Sequence, residues 1–280
     1  MNAKILIANW KANPSTLAEA QELFRAEVIE AAKYKNVRTV ICPPFVYLEE
    51  LSKFLQTTNY KPRKGQWRKA TWWPRHSTWP SGLYWPQTSS LGTQDVFWKE
   101  SGPFTGEIST EMLKNFGVSH VLIGHSDRRY KIGETDEMIN KKIKAALEAG
   151  IVPVLLVGEK SRGDDRRQVL EKQLSADLEG LDSDQTSKIL IAYEPVWAIS
   201  TTPGAEADTP ENTLQAIDII NNFLTKRYTL NPKPCLYGGS VTEKNVADFL
   251  SHPEISGAVI GGASLRKDEF AEMLRIVSTI

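Results

Sequence analysis

Residues 189–227, ILIAYEPVWAISTTPGAEADTPENTLQAIDIINNFLTKR, contain one complete strand–loop–helix unit. The segment Ile189–Pro195 begins with consecutive apolar residues, not alternating ones, which is typical of a parallel strand buried on both faces. A helix is predicted over Thr209–Arg227, because threonine can cap a first turn and Pro210 fits the first helical position. This stretch therefore predicts a β-strand followed by an α-helix.

The same unit recurs along the chain. Helical patterns occupy Ser15–Tyr34 and roughly Val46–Gln56, and the further strand-like apolar segments are Ile5–Asn9, Thr39–Pro43, Leu91–Val96, His120–His125, Val152–Gly158, Cys235–Gly239 and Ala258–Gly262. Eight such units predict an α/β protein of the (β/α)8 barrel type, with a closed, parallel, eight-stranded sheet. An open doubly wound sheet is the alternative, but it usually has a glycine-rich turn after the first strand, and this chain has none there.

The composition fits one barrel domain over residues 1–280, since about 250 residues are typical of this fold. Lys+Arg and Asp+Glu both number 34, so the overall charge gives no reason to expect nucleic acid or a membrane as a partner. The N-terminus lacks a signal-peptide pattern, and no apolar run has the length of a membrane span. Cys42 and Cys235 predict buried free thiols, which suits a reducing cytoplasm.

Residues 57–90, hereafter the insert, interrupt the alternation between the second helix and the third strand. The insert carries six Lys/Arg and no acid, together with five tryptophans and four prolines: Trp67, Trp72, Trp73, Trp79, Trp85, Pro62, Pro74, Pro80 and Pro86. Basic residues between tryptophans could bind single-stranded nucleic acid, but an irregular surface loop is the simpler interpretation. We expect a solvent-facing segment, opposite the active site and dispensable for catalysis.

The ends of the strands carry the candidates for chemistry, because active sites of α/β barrels lie at the C-terminal ends of the strands. Lys11 follows the first strand, where its ammonium could hold an anion or simply extend from the rim into water. His125 ends the fourth strand beside Asp127 and two arginines, a cluster that favours a functional histidine over a structural one. Glu194 ends the sixth strand as a candidate general base, since a carboxylate there is costly unless it is used or paired.

Paired glycines end the last two strands, at Gly238-Gly239-Ser240 and Gly261-Gly262. Glycines let backbone N–H groups approach a ligand, and barrels commonly build phosphate sites after these strands, although tight turns alone would also explain them. A cation, an imidazole, a carboxylate and a phosphate cradle on one rim indicate proton transfer next to a carbonyl in a phosphorylated substrate. We expect neither a metal nor an organic cofactor.

Several separated motifs resemble the triosephosphate isomerase family in order and spacing: Asn9-Trp10-Lys11, Gly124-His125-Ser126, Tyr193-Glu194-Pro195-Val196-Trp197-Ala198, Tyr237-Gly238-Gly239-Ser240-Val241 and Gly261-Gly262-Ala263-Ser264-Leu265. The segment Gln94 to Glu107, with Phe104-Thr105-Gly106-Glu107, is also similar. The resemblance covers about residues 4–56 and 91–278. It implies the TIM-barrel fold and interconversion of glyceraldehyde 3-phosphate and dihydroxyacetone phosphate through an enediolate, in glycolysis and gluconeogenesis.

The resemblance also implies a role for each matched residue. Glu194 is the base that moves a proton between the two substrate carbons, and neutral His125 polarises the carbonyl and the enediolate oxygens. Lys11 pairs with substrate charge, and Asn9 helps to form the oxyanion site. Further roles fall to the phosphate-binding Ser200, Ser240, Gly261 and Gly262, the supporting Ser126 and Asp127, the lid at 195–209, and Thr105, which would reach into the partner's site of a homodimer. These roles come from the family, a standard case of pKa tuning by a fold.

Three features depart from the family's pattern. Asp127 stands where the family usually has glutamate, which shortens its reach toward Lys11 by one methylene. The lid is longer than usual, and Ser200 occupies a position where a glycine N–H would meet the phosphate. The insert has no counterpart in the family's pattern.

Two other functions compete with this interpretation. A catalytically weakened barrel could serve as a binding protein through the insert, but such a protein has no use for Lys11, His125 and Glu194 together. A different barrel enzyme acting on phosphosugars is the other possibility, and the segment Tyr193–Ala198 argues against it.

Overall fold

The computed structural model describes residues 3–57 and 88–280. Its strands are parallel, pair with their neighbours in sequence, and close where β8 pairs with β1. The strands are β1 (Lys4–Asn9), β2 (Val37–Cys42), β3 (Ser89–Thr93), β4 (His120–Ile123), β5 (Val152–Val157), β6 (Leu190–Tyr193), β7 (Cys235–Tyr237) and β8 (Ile255–Ile260). This closed sheet confirms the predicted (β/α)8 barrel.

Helices of the described residues lie between and after these strands. They are α1 (Leu17–Ala31), α2 (Leu48–Thr57), α3 (Thr110–Asn115), α4 (Asp136–Glu148), α5 (Arg166–Asp177), α6 (Ser183–Ser187), α7 (Pro210–Tyr228), α8 (Val246–Leu250) and α9 (Lys267–Val277). Within the described ranges, no helix is both long and apolar enough to cross a bilayer.

Capping residues fix the start of the two helices that were predicted at greatest length. Thr16 accepts a hydrogen bond from the Glu19 N–H at 3.3 Å, and Glu19 returns the bond, so α1 begins after Thr16 and not at Ser15. Thr209 caps α7 by accepting from the Asn212 N–H, with Pro210 at the first helical position as predicted.

Most predicted strands run too far at their C-terminal ends. The fourth strand stops at Ile123 and not at His125, and the sixth stops at Tyr193 and not at Pro195. The reason is functional geometry: the polar and glycine residues that follow each strand leave the sheet to form the rim loops. The sequence pattern cannot separate the last ladder residue from the first rim residue, because both are buried.

Regular structure extends slightly into both ends of the insert, which was predicted at about residues 57–90. Thr57 ends α2, and Ser89 and Ser90 belong to β3, where they pair with Thr39 and Val40 of β2. The two serines were not predicted as part of the strand because they are polar. They are in the strand because their backbones pair with those of β2. Thr88, just before β3, is buried. Residues 58–87, and with them the prediction of an irregular, solvent-facing segment, lie outside the described residues.

The core has two layers. The inner layer fills the barrel with side chains from alternate strand positions: Ile5, Ile7, Val40, Cys42, Leu122, Val154, Leu156, Ala192, Leu236 and Val259. The outer layer packs the opposite faces of the strands against the helices, with Phe24 of α1 and Phe270 of α9 fully buried. The inner layer stops below the C-terminal rim, so the residues above it form the floor of a cavity.

Candidate active site

The residues predicted for chemistry meet at one cavity of about 480 Å³ on the C-terminal rim. Every predicted catalytic and phosphate-binding residue lines it: Asn9, Lys11, His125, Glu194, Ser200, Ser240, Gly261 and Gly262. They come from the end of β1 and the loops after β1, β4, β6, β7 and β8, which are far apart in sequence but meet at the rim of the closed sheet. A cavity of this size suits a small organic ligand.

Glu194 is almost fully buried and accepts two hydrogen bonds from Ser126. Its Oε2 accepts from the Ser126 N–H at 2.8 Å, and its Oε1 accepts from the Ser126 hydroxyl at 3.1 Å. The His125 Nε2 lies 3.2 Å from the same Oε1. The carboxylate is therefore turned toward the loop after β4, and a rotation of its side chain would present it to a ligand in the cavity.

The backbone at Glu194 is fixed by a close approach of two strands. The Glu194 N–H donates to the Val157 carbonyl at 2.8 Å, just beyond the end of β6. A Cβ on Gly158 would lie 2.1 Å from the Glu194 carbonyl oxygen, so only glycine fits at Gly158. Gly158 thus lets the Glu194 backbone approach β5 closely and fixes its position beside the cavity. The strand pattern in the sequence did not indicate this role for Gly158.

The hydrogen bonds around His125 define its tautomer. The Asp127 N–H donates to Nδ1 at 3.0 Å, so Nδ1 must carry a lone pair. The ring proton then sits on Nε2, which faces the Glu194 carboxylate and the cavity. A neutral imidazole with an N–H directed into the cavity can donate a hydrogen bond to a ligand oxygen.

Lys11 is held in an uncommon backbone conformation. Its φ of 53° lies in the left-handed region, which a lysine adopts only when its surroundings enforce it. The Asn9 Oδ1 accepts from the Lys11 N–H at 3.1 Å, and the Gln94 amide donates to the Lys11 carbonyl at 2.7 Å. With its oxygen engaged, the Asn9 amide keeps its NH₂ group as a donor for the cavity.

Asp127 reaches Lys11 despite the short side chain of an aspartate. The Lys11 Nζ lies 3.1 Å from Asp127 Oδ2, and the Lys131 Nζ lies 2.7 Å from Oδ1. Burial alone would raise the pKa of this carboxyl, but the Lys131 hydrogen bond and the Lys11 charge lower the pKa to about 2. Asp127 is therefore a carboxylate throughout the neutral pH range.

The predicted phosphate site lies on the far side of the cavity from His125. Gly261 precedes a short 3-10 helix at Gly262–Leu265, whose first N–H groups have no partner within the helix. A Cβ on Gly262 would meet no atom within 4 Å, so the space above this residue is open. The Ser240 N–H instead donates to the lid carbonyl of Ala198 at 3.2 Å.

The lid at 195–209 is anchored at both ends. Near its start, the Trp197 indole donates to Glu159 Oε1 at 3.0 Å, and near its end the Glu206 N–H donates to the Trp197 carbonyl at 3.0 Å. Arg162, in the loop after β5, forms an ion pair with Glu206 and stacks over the Trp197 ring at 5.3 Å. Ser200 projects from the middle of the lid and lines the cavity.

Glu159 was not among the predicted site residues. It is buried at the end of β5, where its Oε1 accepts from the Tyr193 hydroxyl at 2.7 Å and from the Trp197 indole. An acid directly after a buried strand is the same signal that pointed to Glu194, so the sequence contained it. The contacts assign Glu159 to the lid hinge and not to the cavity, since it does not line the cavity.

The predicted supporting residues Ser126 and Asp127 do not line the cavity but contact Glu194 and Lys11, which do, whereas Thr105 lies away from the site. It is exposed in the loop after β3, next to Phe104, which is also exposed. Its reach into the site of a partner subunit stays a prediction.

A closed parallel barrel with a carboxylate, an imidazole and a lysine on its C-terminal rim defines the class as a (β/α)8-barrel protein with a site suited to acid–base catalysis. Comparison with known proteins narrows the class to a family. The family model described as triosephosphate isomerase matches residues 4–64 and 82–277. The chain therefore belongs to the triosephosphate isomerase family.

Individual relatives agree with the family model. A protein named triosephosphate isomerase from Dictyoglomus thermophilum is 39% identical over 282 residues, covering 98% of this chain and 100% of the relative. One from Dehalococcoides mccartyi is 37% identical over 283 residues, covering 100% of this chain and 98% of the relative. One from Citrifermentans bemidjiense is 46% identical over 189 residues, covering 66% of this chain and 75% of the relative.

Proposed function

We propose that the protein is a triosephosphate isomerase, which interconverts glyceraldehyde 3-phosphate and dihydroxyacetone phosphate in glycolysis and gluconeogenesis. The observation that carries the proposal is the meeting of Glu194, His125 and Lys11 at one cavity, within a chain that belongs to the family throughout its barrel. A coupled assay that converts glyceraldehyde 3-phosphate to dihydroxyacetone phosphate and reduces the product tests it directly. Absence of turnover in purified protein would refute the proposal.

The site residues divide the reaction between them. The Glu194 carboxylate leaves Ser126, takes the proton from one substrate carbon and returns it to the neighbouring carbon. In between, the substrate is an enediolate, and the proton on His125 Nε2 stabilises the charge on its oxygens. The Lys11 ammonium and the Asn9 amide contribute further donors on the same side. Ser200, Ser240, Gly261 and Gly262 hold the phosphate, and the lid excludes water during the transfer.

We also propose that two copies of the chain form a homodimer. Large apolar side chains are exposed on the loops that follow β2, β3 and β4, including Val46 at 80% exposure, Ile132 at 67% and Tyr130 at 43%. Because these strands are neighbours in the barrel, their loops lie on one side of the rim, and a shared apolar surface usually marks an interface. Thr105 lies in the loop after β3 and would enter the partner's site.

The dimer proposal predicts a mass in solution. Sedimentation equilibrium at micromolar concentration should give twice the chain mass of 31.4 kDa. An Ile132→Asp variant should shift the protein toward the single-chain mass, because a carboxylate in an apolar interface is poorly solvated. A single-chain mass for the parent at all concentrations would contradict the proposal.

A cytoplasmic location is a further proposal. Cys42 and Cys235 are both buried free thiols, and burial raises the pKa of each, so neither is poised to react. Two unpaired cysteines suit a reducing compartment. Subcellular fractionation of the source cells would test it.

The insert offers a test of the alternative function, a binding protein that acts through this segment. The family model leaves residues 65–81 unmatched. They connect the end of α2 to the start of β3, and β3 starts at the N-terminal end of the barrel, opposite the cavity. We therefore predict that deletion of residues 65–81 leaves kcat and KM within about threefold of the parent. Kinetics and soluble yield measure the effect.

A second deletion serves as the control for that prediction. Removal of residues 65–90 also takes away Ser89 and Ser90, whose backbones pair with β2, so this variant should lose stability. If the shorter deletion already abolishes activity or soluble protein, the unmatched segment is part of the working fold, and the prediction is wrong.

A further inference from the structure

Asp127 is contacted by two lysines, one on each carboxylate oxygen. Lys11, from the loop after β1, lies 3.1 Å from Oδ2, and Lys131 lies 2.7 Å from Oδ1. Lys131 belongs to the helical segment Arg128–Ile132 and follows Asp127 by one helical turn. Only Lys11 lines the cavity, so the role of Lys131 must be exerted through Asp127.

The geometry gives Lys131 a specific task. A short aspartate side chain can rotate about its two torsions, and each rotation moves Oδ2 relative to the Lys11 ammonium. Lys131 engages the other oxygen and so limits these rotations. The Asp127 N–H is itself committed to His125 Nδ1 at 3.0 Å, so the backbone beneath the carboxylate is fixed as well. One carboxylate thereby links Lys131 to the orientation of Lys11.

Charge adds to this effect. The charges of Lys11 and Asp127 alone would cancel, and this part of the rim would then attract an anionic substrate less strongly. With Lys131 the three groups carry a net positive charge. As a stabilising contact the Lys131 pair has little value, because the lysine side chain is 66% exposed and such pairs contribute little to stability. Its effect should therefore appear in kinetics and not in unfolding.

We propose that Lys131 is a positioning residue for Lys11 and acts through Asp127, an inference that rests on the proposed isomerase function. Lys131 compensates for the shorter side chain at position 127 by orienting its carboxylate. The lysine that contacts substrate is Lys11, so loss of Lys131 weakens substrate binding more than it slows the proton transfer at Glu194.

The test compares Lys131→Met and Lys131→Arg in the parent and in an Asp127→Asn background. Lys131→Met should lower kcat/KM about fivefold, mostly through a higher KM, and Lys131→Arg should restore it to within about twofold of the parent. In the Asp127→Asn background, Lys131→Met should have no further effect, because the route to Lys11 is already broken. The melting temperature should not change.

Lys188→Met is the matched control. Lys188 forms a similarly exposed pair with Asp184, four residues earlier, at 2.6 Å on the opposite side of the barrel from the cavity. Its loss should leave kcat and KM unchanged. The inference is overturned if Lys131→Met matches the parent, or if it lowers kcat/KM equally in the Asp127→Asn background. If the parent shows no turnover, the proposed function fails, and calorimetric binding of dihydroxyacetone phosphate to the same variants decides the Lys131 inference separately.

Discussion

The Glu194→Gln variant should lose about three orders of magnitude in kcat, while its affinity for a phosphate-bearing ligand stays within about threefold of the parent. Glu194 faces the reacting carbons in the proposed mechanism, whereas the phosphate is proposed to bind to other residues of the cavity, Ser200, Ser240, Gly261 and Gly262. A glutamine has almost the same volume, so the fold should be retained. The glutamine amide cannot act as a base, so no group in its place takes the proton from the substrate carbon.

Glu194→Asp separates the position of the base from its chemistry. Aspartate keeps a carboxylate but withdraws it by one methylene from the substrate carbon, so turnover should fall by about a hundredfold. Steady-state kinetics and inhibition by a phosphate-bearing substrate analogue measure both effects. Equal losses in affinity and in kcat/KM, with turnover per bound substrate intact, would show that Glu194 holds the ligand and does not act as the base.

The neighbours of Glu194 show why glutamine is an informative replacement. Ser126 donates to both carboxylate oxygens, and His125 Nε2 carries the proton that faces Oε1. A glutamine oxygen can accept from the Ser126 N–H, but its NH₂ group would then face another donor. We expect the side chain to remain near Ser126 with its amide poorly paired, which leaves the cavity itself unobstructed.

Much of the barrel could be predicted because strands buried on both faces leave a strong signal. The segment Ile189–Pro195 is apolar at consecutive positions, and the helix after it has a capping threonine and a proline at its start. The site followed from one geometric rule, that the C-terminal ends of parallel strands share a rim. Residues as distant in sequence as Lys11 and Gly261 could therefore be assigned to one cavity from the sequence, and both line it.

What the sequence could not supply is the set of contacts that depend on packing. Gly158 looks like any strand-end glycine until the Glu194 carbonyl is seen beside it. Ser89 and Ser90 have no strand pattern of their own and are ordered by pairing with β2. Lys142 occupies a helix with many charged neighbours, so its sequence environment gives no sign that it is buried.

Lys142 is the centre of a buried ion network beneath the loops after β3 and β4. Its side chain is 2% exposed, and its Nζ lies 2.7 and 2.8 Å from the two oxygens of Asp95 and also contacts Glu134. Arg128 contacts the same two carboxylates, with its NH2 2.8 Å from Asp95 Oδ2. Two cations and two carboxylates balance one another where little water is present.

The Lys142→Met variant should lose about 3–5 kcal/mol in the free energy of unfolding, because removal of one partner leaves a buried carboxylate without compensation. Methionine has a similar length and apolar stem, so the effect reports the charge and not a cavity. Urea denaturation measures it. Lys141→Met is the matched control on the same helix, since Lys141 pairs with Glu137 at the surface and should change stability by less than about 1 kcal/mol.

The decrease in the free energy of unfolding caused by Lys142→Met should also depend on pH. The pKa of Asp95 determines whether the decrease is larger at low or at high pH. Burial raises the pKa of Asp95 to about 6, and Lys142 opposes that rise. A raised pKa in the folded state gives a contribution to stability that is present at low pH and lost as pH rises through the folded-state value. At pH 5, below this folded-state pKa, the Asp95 carboxyl is mostly protonated with or without Lys142, so removal of the lysine leaves no unpaired charge on Asp95; at pH 8 the carboxyl is ionised and loses its partner. The destabilisation should therefore be smaller at pH 5 than at pH 8, whereas equal losses at both values would mean that packing, and not charge, makes Lys142 important.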